Sequence, residues 1–407
     1  MLILKEEDVI NACHQLLTHL RTACPTIHAT RVRALLTAVE TAIHHQRLTL
    51  TELGRGLRSP TLVKHNIKRM DRLLGNSRLG TERLPIFQAV AHWLLAGRSQ
   101  PIVLVDWSDR TTDRAWQRLR ASIPVRGRAV TIYEEVHPLC SLASRHVHRR
   151  FLQHVAQVLP REAQPIVVTD AGFRGTWFQL VESFGWHWIG RIRNRTLVQQ
   201  PGAQPWHPCK DLYAQATAQP YALGVMRLVR SNPVACPLYL VRQRPKGRKK
   251  TSVFGHSVGS SHSRKHAARE REPWLLGASL GLQHLGAKRI VALYRQRMQI
   301  EEAFRDLKSE RYGLGFTASH TRGALRLANL LLIGALALFV LWMIGQAAQQ
   351  QQVAYQYQAN TRKHRPVLSL ISLGRHVMRR APGGITQSHL RQAITFLQHQ
   401  LTQMHAA

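Results

Sequence analysis

Carboxylates are the scarcest chemistry in this chain. Against 57 Lys+Arg there are only 22 Asp+Glu, which gives a formal net charge of +35 over 407 residues. No acidic residue lies between Asp211 and Glu270, and none follows Glu310. Such an imbalance says little about fold and much about partners, and it points to a polyanion such as nucleic acid. A membrane-surface protein gathers its basic charge in one cluster, whereas here the excess runs the length of the chain. Cysteine is scarce as well: Cys13, Cys24, Cys140, Cys209 and Cys236 are odd in number, widely spaced and never in a Cys-x-x-Cys pair. That argues against a disulfide framework and a structural zinc site, and for a reducing compartment. Histidine is plentiful, with His146 and His148, or His256, His262 and His266, as tempting groups. None forms a helix-spaced pair with a nearby carboxylate in the zinc-protease pattern, so solvated or phosphate-facing histidine is the expectation. The opening MLILKEEDV is too short and too acidic for a signal peptide, which leaves the cytoplasm as the expected location.

The length predicts two or three domains. Residues 1–95 read as a helical N-terminal domain. Ser59-Pro60 offers an N-cap with proline at the first helical position, and Gly75 a stop. Between them Val63, Ile67, Met70 and Leu74 mark an apolar side, with Lys64, Lys68 and Arg72 as a basic stripe beside it. With a shorter helix over Thr49–Leu57, this resembles a DNA-binding helix-turn-helix pair. An ordinary helical domain with a basic surface fits the same pattern. In 96–195 two apolar runs, Ile102–Val105 and Ile166–Thr169, read as buried strands that close on Asp106 and Asp170. A hairpin around Gly127 lies between them, and the order of elements predicts a mixed α/β sheet. Either aspartate could instead cap a turn. Residues 196–285 read as a β-rich insertion with a mobile basic loop over Arg242–Arg271, closed by the apolar strand that starts at Trp274. Residues 286–345 hold a charged helix and then Leu327–Gly345, uncharged and with Asn329 as its only polar residue. A core helix and a membrane span both satisfy that composition. Residues 346–407 read as a basic helical C-terminal region, a candidate for dimerisation.

The most specific signal is Tyr294–Lys308, which has neither Pro nor Gly and so predicts one helix. At about 100° per residue, Tyr294, Arg297, Glu301 and Lys308 share a stripe roughly 60° wide. Mixed charge on a helix is usually a solvated face. In a chain so short of acid, however, Asp106, Asp170 and Glu301 invite a joint reading. Three converging carboxylates repel unless a divalent cation neutralises them, and oxygen donors select Mg2+ or Mn2+. The surrounding cations would then serve phosphodiester chemistry, where positioning and electrostatics dominate.

The spacing Tyr294-x2-Arg297-x3-Glu301-x6-Lys308 matches the YREK signature of bacterial DDE transposases of insertion-sequence family four. The stretches 53–76, 101–108, 170–193, 273–276 and 297–309 resemble its insertion-sequence-ten-like subgroup, so the likeness covers nearly the whole chain. The resemblance implies an RNase H-like catalytic core with a β-rich insertion between the second aspartate and the glutamate. It implies that Asp106, Asp170 and Glu301 are catalytic and bind Mg2+, with Mn2+ as a substitute, and that Tyr294, Arg297 and Lys308 contact DNA phosphates. Trp274 lies near the position of an aromatic that holds a flipped base, and Met298 stands where some relatives carry a Trp probe. Arg193, Lys64, Lys68 and Arg72 complete the expected DNA contacts. The implied activity is cut-and-paste transposition by a synaptic homodimer at the nucleoid. Nicking at the element tip is followed by hairpin formation, hairpin opening and strand transfer to target DNA. The partners are terminal inverted repeats and target DNA, with no membrane and no small-molecule substrate, and the apolar helix becomes a core helix. The alternative is a catalytically inactive DNA-binding protein of the same fold.

Overall fold

The computed structural model describes residues 7–406 apart from 110–114, 126, 194, 203–204, 245–270, 363 and 381–384. The chain opens with helices α1 (Glu7–Ala23), α2 (Ala29–His45), α3 (Leu50–Arg55), α4 (Val63–Leu74) and α5 (Ser77–Leu95). Helices α3 and α4 pack together, and Gly54 sets their approach, since a Cβ there would lie 2.5 Å from the Ile67 Cα. The start of α4 differs from expectation. Its N-cap is Leu62, with no side-chain cap. Ser59 Oγ instead accepts the Thr61 N–H at 3.2 Å and meets the Thr61 hydroxyl at 2.8 Å, so Ser-Pro builds a turn ahead of the helix. Val63 is consequently 50% exposed rather than core. The buried side is Asn66, Met70, Leu73 and Leu74, with Gly75 as C-cap, while Lys64, Lys68 and Arg72 are exposed.

Strands β1 (Ile102–Asp109), β2 (Trp116–Val125) and β3 (Arg128–Pro138) follow in antiparallel register. Gly127 supplies the positive φ of 82° that the β2–β3 turn needs. Strand β1 runs past Asp106, because its pairing with β2 continues to Asp109 opposite Gln117. Asp106 therefore lies inside the strand instead of closing it. After α6 (Arg145–Val158), strand β4 (Ile166–Thr169) stops immediately before Asp170. Next come α7 (Gly175–Ser183) and β5 (His187–Ile192), which is parallel to β4. The insertion contributes β6 (Leu197–Gln199), β7 (His207–Pro208), β8 (Tyr221–Leu228) and β9 (Val234–Val241). The expected basic loop lies largely outside the described residues. Strand β10 (Trp274–Ala278) then pairs with both β5 and β9. The chain ends in α8 (Gly286–Arg295), α9 (Met298–Lys308), α10 (Ala324–Gln350), α11 (Leu370–Arg380) and α12 (Gln387–Ala406). This is a mixed α/β protein, with strands in mixed register and helices before and after them.

The chain divides into two compact units, Met1–Ala163 with Met298–Ala407, and Gln164–Arg297. In the first, α10 is the core: its most apolar 18-residue stretch is 94% buried. It packs against α2, α4, α5, α11, α12 and β3. Within its apolar stretch, Asn329 donates from Nδ2 to the Leu74 and Asn76 carbonyls at 2.9 and 3.2 Å. In the second, the fully buried Trp188 of β5 stacks on Phe178 of α7 at 3.9 Å between ring centres.

The stretch expected as one helix is two. Helix α8 ends at Arg295, and the N–H groups of Gln296 and Arg297 bond back to Leu293 and Tyr294 at 3.1 and 3.0 Å. That three-residue spacing tightens the turn before α9 begins at Met298. The boundary between units falls at the same point. Tyr294 and Arg297 thus belong to one unit, and Glu301 and Lys308 to the other.

Candidate active site

In the first unit, Asp106 sits directly opposite Arg120 and Ser108 opposite Arg118. The two residues of each strand lie two apart, so all four share one face of the β1–β2 pair. Both arginines are buried, at 0% and 1% exposure. Arg120 donates from Nε and Nη2 to Glu134 Oε2 of β3 at 3.0 and 2.8 Å. Helix α9 covers this face, packing on β1, β2 and β3. The Phe304 ring receives the Arg118 and Arg120 guanidinium carbons at 4.6 and 5.0 Å and the Lys308 Nζ at 5.9 Å. Lys308 donates to Ser108 Oγ at 2.7 Å, and burial with Arg118 nearby pushes its ammonium down to about 8. Glu301 and Met298 are exposed at the start of α9. The neighbouring acids are engaged elsewhere: Glu302 pairs with Arg305 at 2.7 Å, and Asp306 with Arg128.

On the opposite face of the same strands, Glu135 accepts from His137, His154 and Tyr133 at 2.7, 2.7 and 2.8 Å. Burial pushes its carboxyl up, but those three hydrogen bonds outweigh it and hold the group well below the usual range. His148, which meets Trp107 Nε1 at 3.1 Å, is pushed down to about 4 by burial and by His137.

In the second unit, Asp170 Oδ1 accepts the Gly172 N–H at 2.8 Å, so this carboxylate also closes a turn. Tyr294 is only 4% exposed. Its hydroxyl is hydrogen-bonded by Arg297, with Arg191 and Asp170 within electrostatic reach. Burial raises the phenol, and the two arginines pull it back. Trp274 is half-buried and meets the Tyr294 ring edge-to-face, 5.1 Å between centres at 78°. Arg193 Nε donates to Glu272 at 2.5 Å, with Lys210 at 3.7 Å. This unit therefore brings together the tyrosine, one signature arginine and the tryptophan.

Oxygen is the sole donor type among Asp106, Asp170 and Glu301, which fits a hard divalent cation. Among the described residues, no group of three or more ligating side chains is gathered as a metal site. Several residues of both clusters escape a reading of the sequence. Arg118 and Arg120 alternate with Leu119 and Ala121, a pattern that reads as a half-solvated strand. The Glu134-Glu135 doublet, in so acid-poor a chain, was the available signal of buried partners. Arg191 and Glu272 flank expected positions and had no signal of their own.

The family model described as Transposase DDE domain matches residues 97–340. No curated protein matches the chain.

Proposed function

Since the chain belongs to the Transposase DDE domain family, a family of enzymes that cleave phosphodiesters in DNA transposition, we propose that it moves its own element by cut and paste. In this reading it belongs to the insertion-sequence-ten-like subgroup of family four and acts as a synaptic homodimer in the bacterial cytoplasm. The observation that carries it is the family match, whose span includes Asp106, Asp170, Glu301 and the signature residues Tyr294, Arg297 and Lys308. The three carboxylates would hold Mg2+ or Mn2+, which supplies activation of a water or 3′-hydroxyl and stabilisation of the leaving oxygen.

The remaining work falls to the chain's own residues. Lys308, held by Ser108, offers an ammonium to a phosphate oxygen. Arg297, anchored on the Tyr294 hydroxyl, offers a planar donor to another. Hydrolysis at the element tip frees a 3′-hydroxyl. That hydroxyl attacks the opposite strand, closing a hairpin and releasing the flanking DNA. Water reopens the hairpin, and the 3′-hydroxyl then attacks target DNA. Trp274, braced by Tyr294, stacks the base extruded at the hairpin. With short inverted repeats flanking the coding region as substrate, an end duplex should yield a nicked and then a hairpin species on denaturing gels. Neither species forming on a bound duplex would sink this reading.

Two binding predictions follow from exposure and charge. Changing Lys64, Lys68 and Arg72 together to Ala should flatten the slope of log affinity against log salt by about 2 to 3. Fluorescence anisotropy of an end duplex checks it, and an unchanged slope removes these residues from the interface. Lys308 carries its charge below about pH 8 and loses it above, so its attraction for phosphate fades as pH rises through that value. End binding should therefore weaken more between pH 7 and 9 for the wild type than for Lys308→Arg, whose guanidinium stays charged. Parallel profiles would rule out a titrating phosphate contact at Lys308.

A further inference from the structure

Arg118 is a buried cation with the Glu134 and Asp106 carboxylates within electrostatic reach. It is 1% exposed, and none of its three guanidinium nitrogens has a hydrogen-bond partner. The nearest ion-pair partner, Glu134, is 3.8 Å away and already bound by Arg120. An apolar side chain of similar volume would fill the position without the cost of desolvating a charge. What Arg118 does touch is the Phe304 ring, its guanidinium carbon 4.6 Å from the centre. Phe304 lies one helical turn after Glu301 and one turn before Lys308, so the three share a side of α9. Arg118 itself stands opposite Ser108, the residue that Lys308 bonds, two positions from Asp106.

We propose that Arg118, stacked on Phe304, is a positioning residue that fixes the seating of α9 on β1 and so the placing of Glu301 relative to Asp106. A cation on a ring face has a preferred geometry, whereas an aliphatic contact tolerates sliding. The inference rests on the proposed metal-binding role of Asp106 and Glu301.

The test is a Mn2+ titration of the full chain without DNA, followed by the electron paramagnetic resonance signal of free Mn2+, alongside melting temperature and end cleavage. Arg118→Met and Phe304→Leu should weaken Mn2+ binding about tenfold or more. Phe304→Trp, which keeps a ring face for the guanidinium, should stay close to wild type. A merely structural role would lower the melting temperature and leave Mn2+ affinity unchanged. A purely electrostatic role would tighten Mn2+ when the Arg118 charge is removed. Either result overturns the proposal. If Arg118→Met does not fold, Phe304→Leu against Phe304→Trp decides alone, and equal affinities overturn it. Asp106→Ala separates the two layers: if it leaves Mn2+ binding intact, the metal assignment fails rather than the role of Arg118.

Discussion

Changing Asp106, Asp170 or Glu301 to Ala is expected to lower end cleavage and 3′-end joining by about a thousandfold or more. The expectation follows from charge. Attack on a phosphodiester builds negative charge on the attacking and leaving oxygens, which a divalent ion held by these carboxylates would neutralise. Without the carboxylates the ion they would hold loses its ligands. Binding to the end duplex should be retained or strengthened, because a carboxylate near phosphate only repels it. Time courses on denaturing gels and anisotropy on the same duplex measure the two effects. A variant of any of the three with full cleavage activity would remove that residue from the site.

Glu134→Gln is expected to destabilise the first unit by about 3 to 5 kcal/mol, the usual cost of orphaning a buried charge. Glu134 is fully buried and is the carboxylate that Arg120 bonds. Its loss removes the buried carboxylate that Arg120 bonds and that lies 3.8 Å from Arg118, both stacked on Phe304. The melting temperature should fall by roughly 10 °C in calorimetry. A fall smaller than about 2 °C would mean that water or another group already satisfies the arginines. Because Glu134 touches none of the proposed ligands directly, the folded variant should still bind Mn2+.

Local patterns were legible in the sequence, and long-range coverage was not. The hairpin around Gly127 and the strand stopping at Asp170 follow from runs of apolar residues and turn chemistry, whereas composition left Leu327–Gly345 open and its core placement came from the family resemblance. The reach of β1 through Asp106 does not, because Asp, Trp, Ser and Asp are strand residues here only through their pairing with β2. The buried state of Arg118 and Arg120 depends on α9, far later in the chain, covering a face whose charge pattern suggests solvent. The break at Gln296-Arg297 has no Gly or Pro to announce it, so propensity predicts an unbroken helix. The signature residues are readable as a motif all the same, because their spacing in sequence survives the break.

The measurement that bears most directly on the central claim is joining of a labelled inverted-repeat end to a supercoiled plasmid by the purified chain, with Mg2+ and with chelator. The account predicts 3′-end joining in Mg2+, none in chelator, and none from Asp106→Ala under either condition. Tight binding of the end with no strand cleaved or joined in Mg2+ or Mn2+ would contradict it, and would leave an inactive DNA-binding protein of the same family.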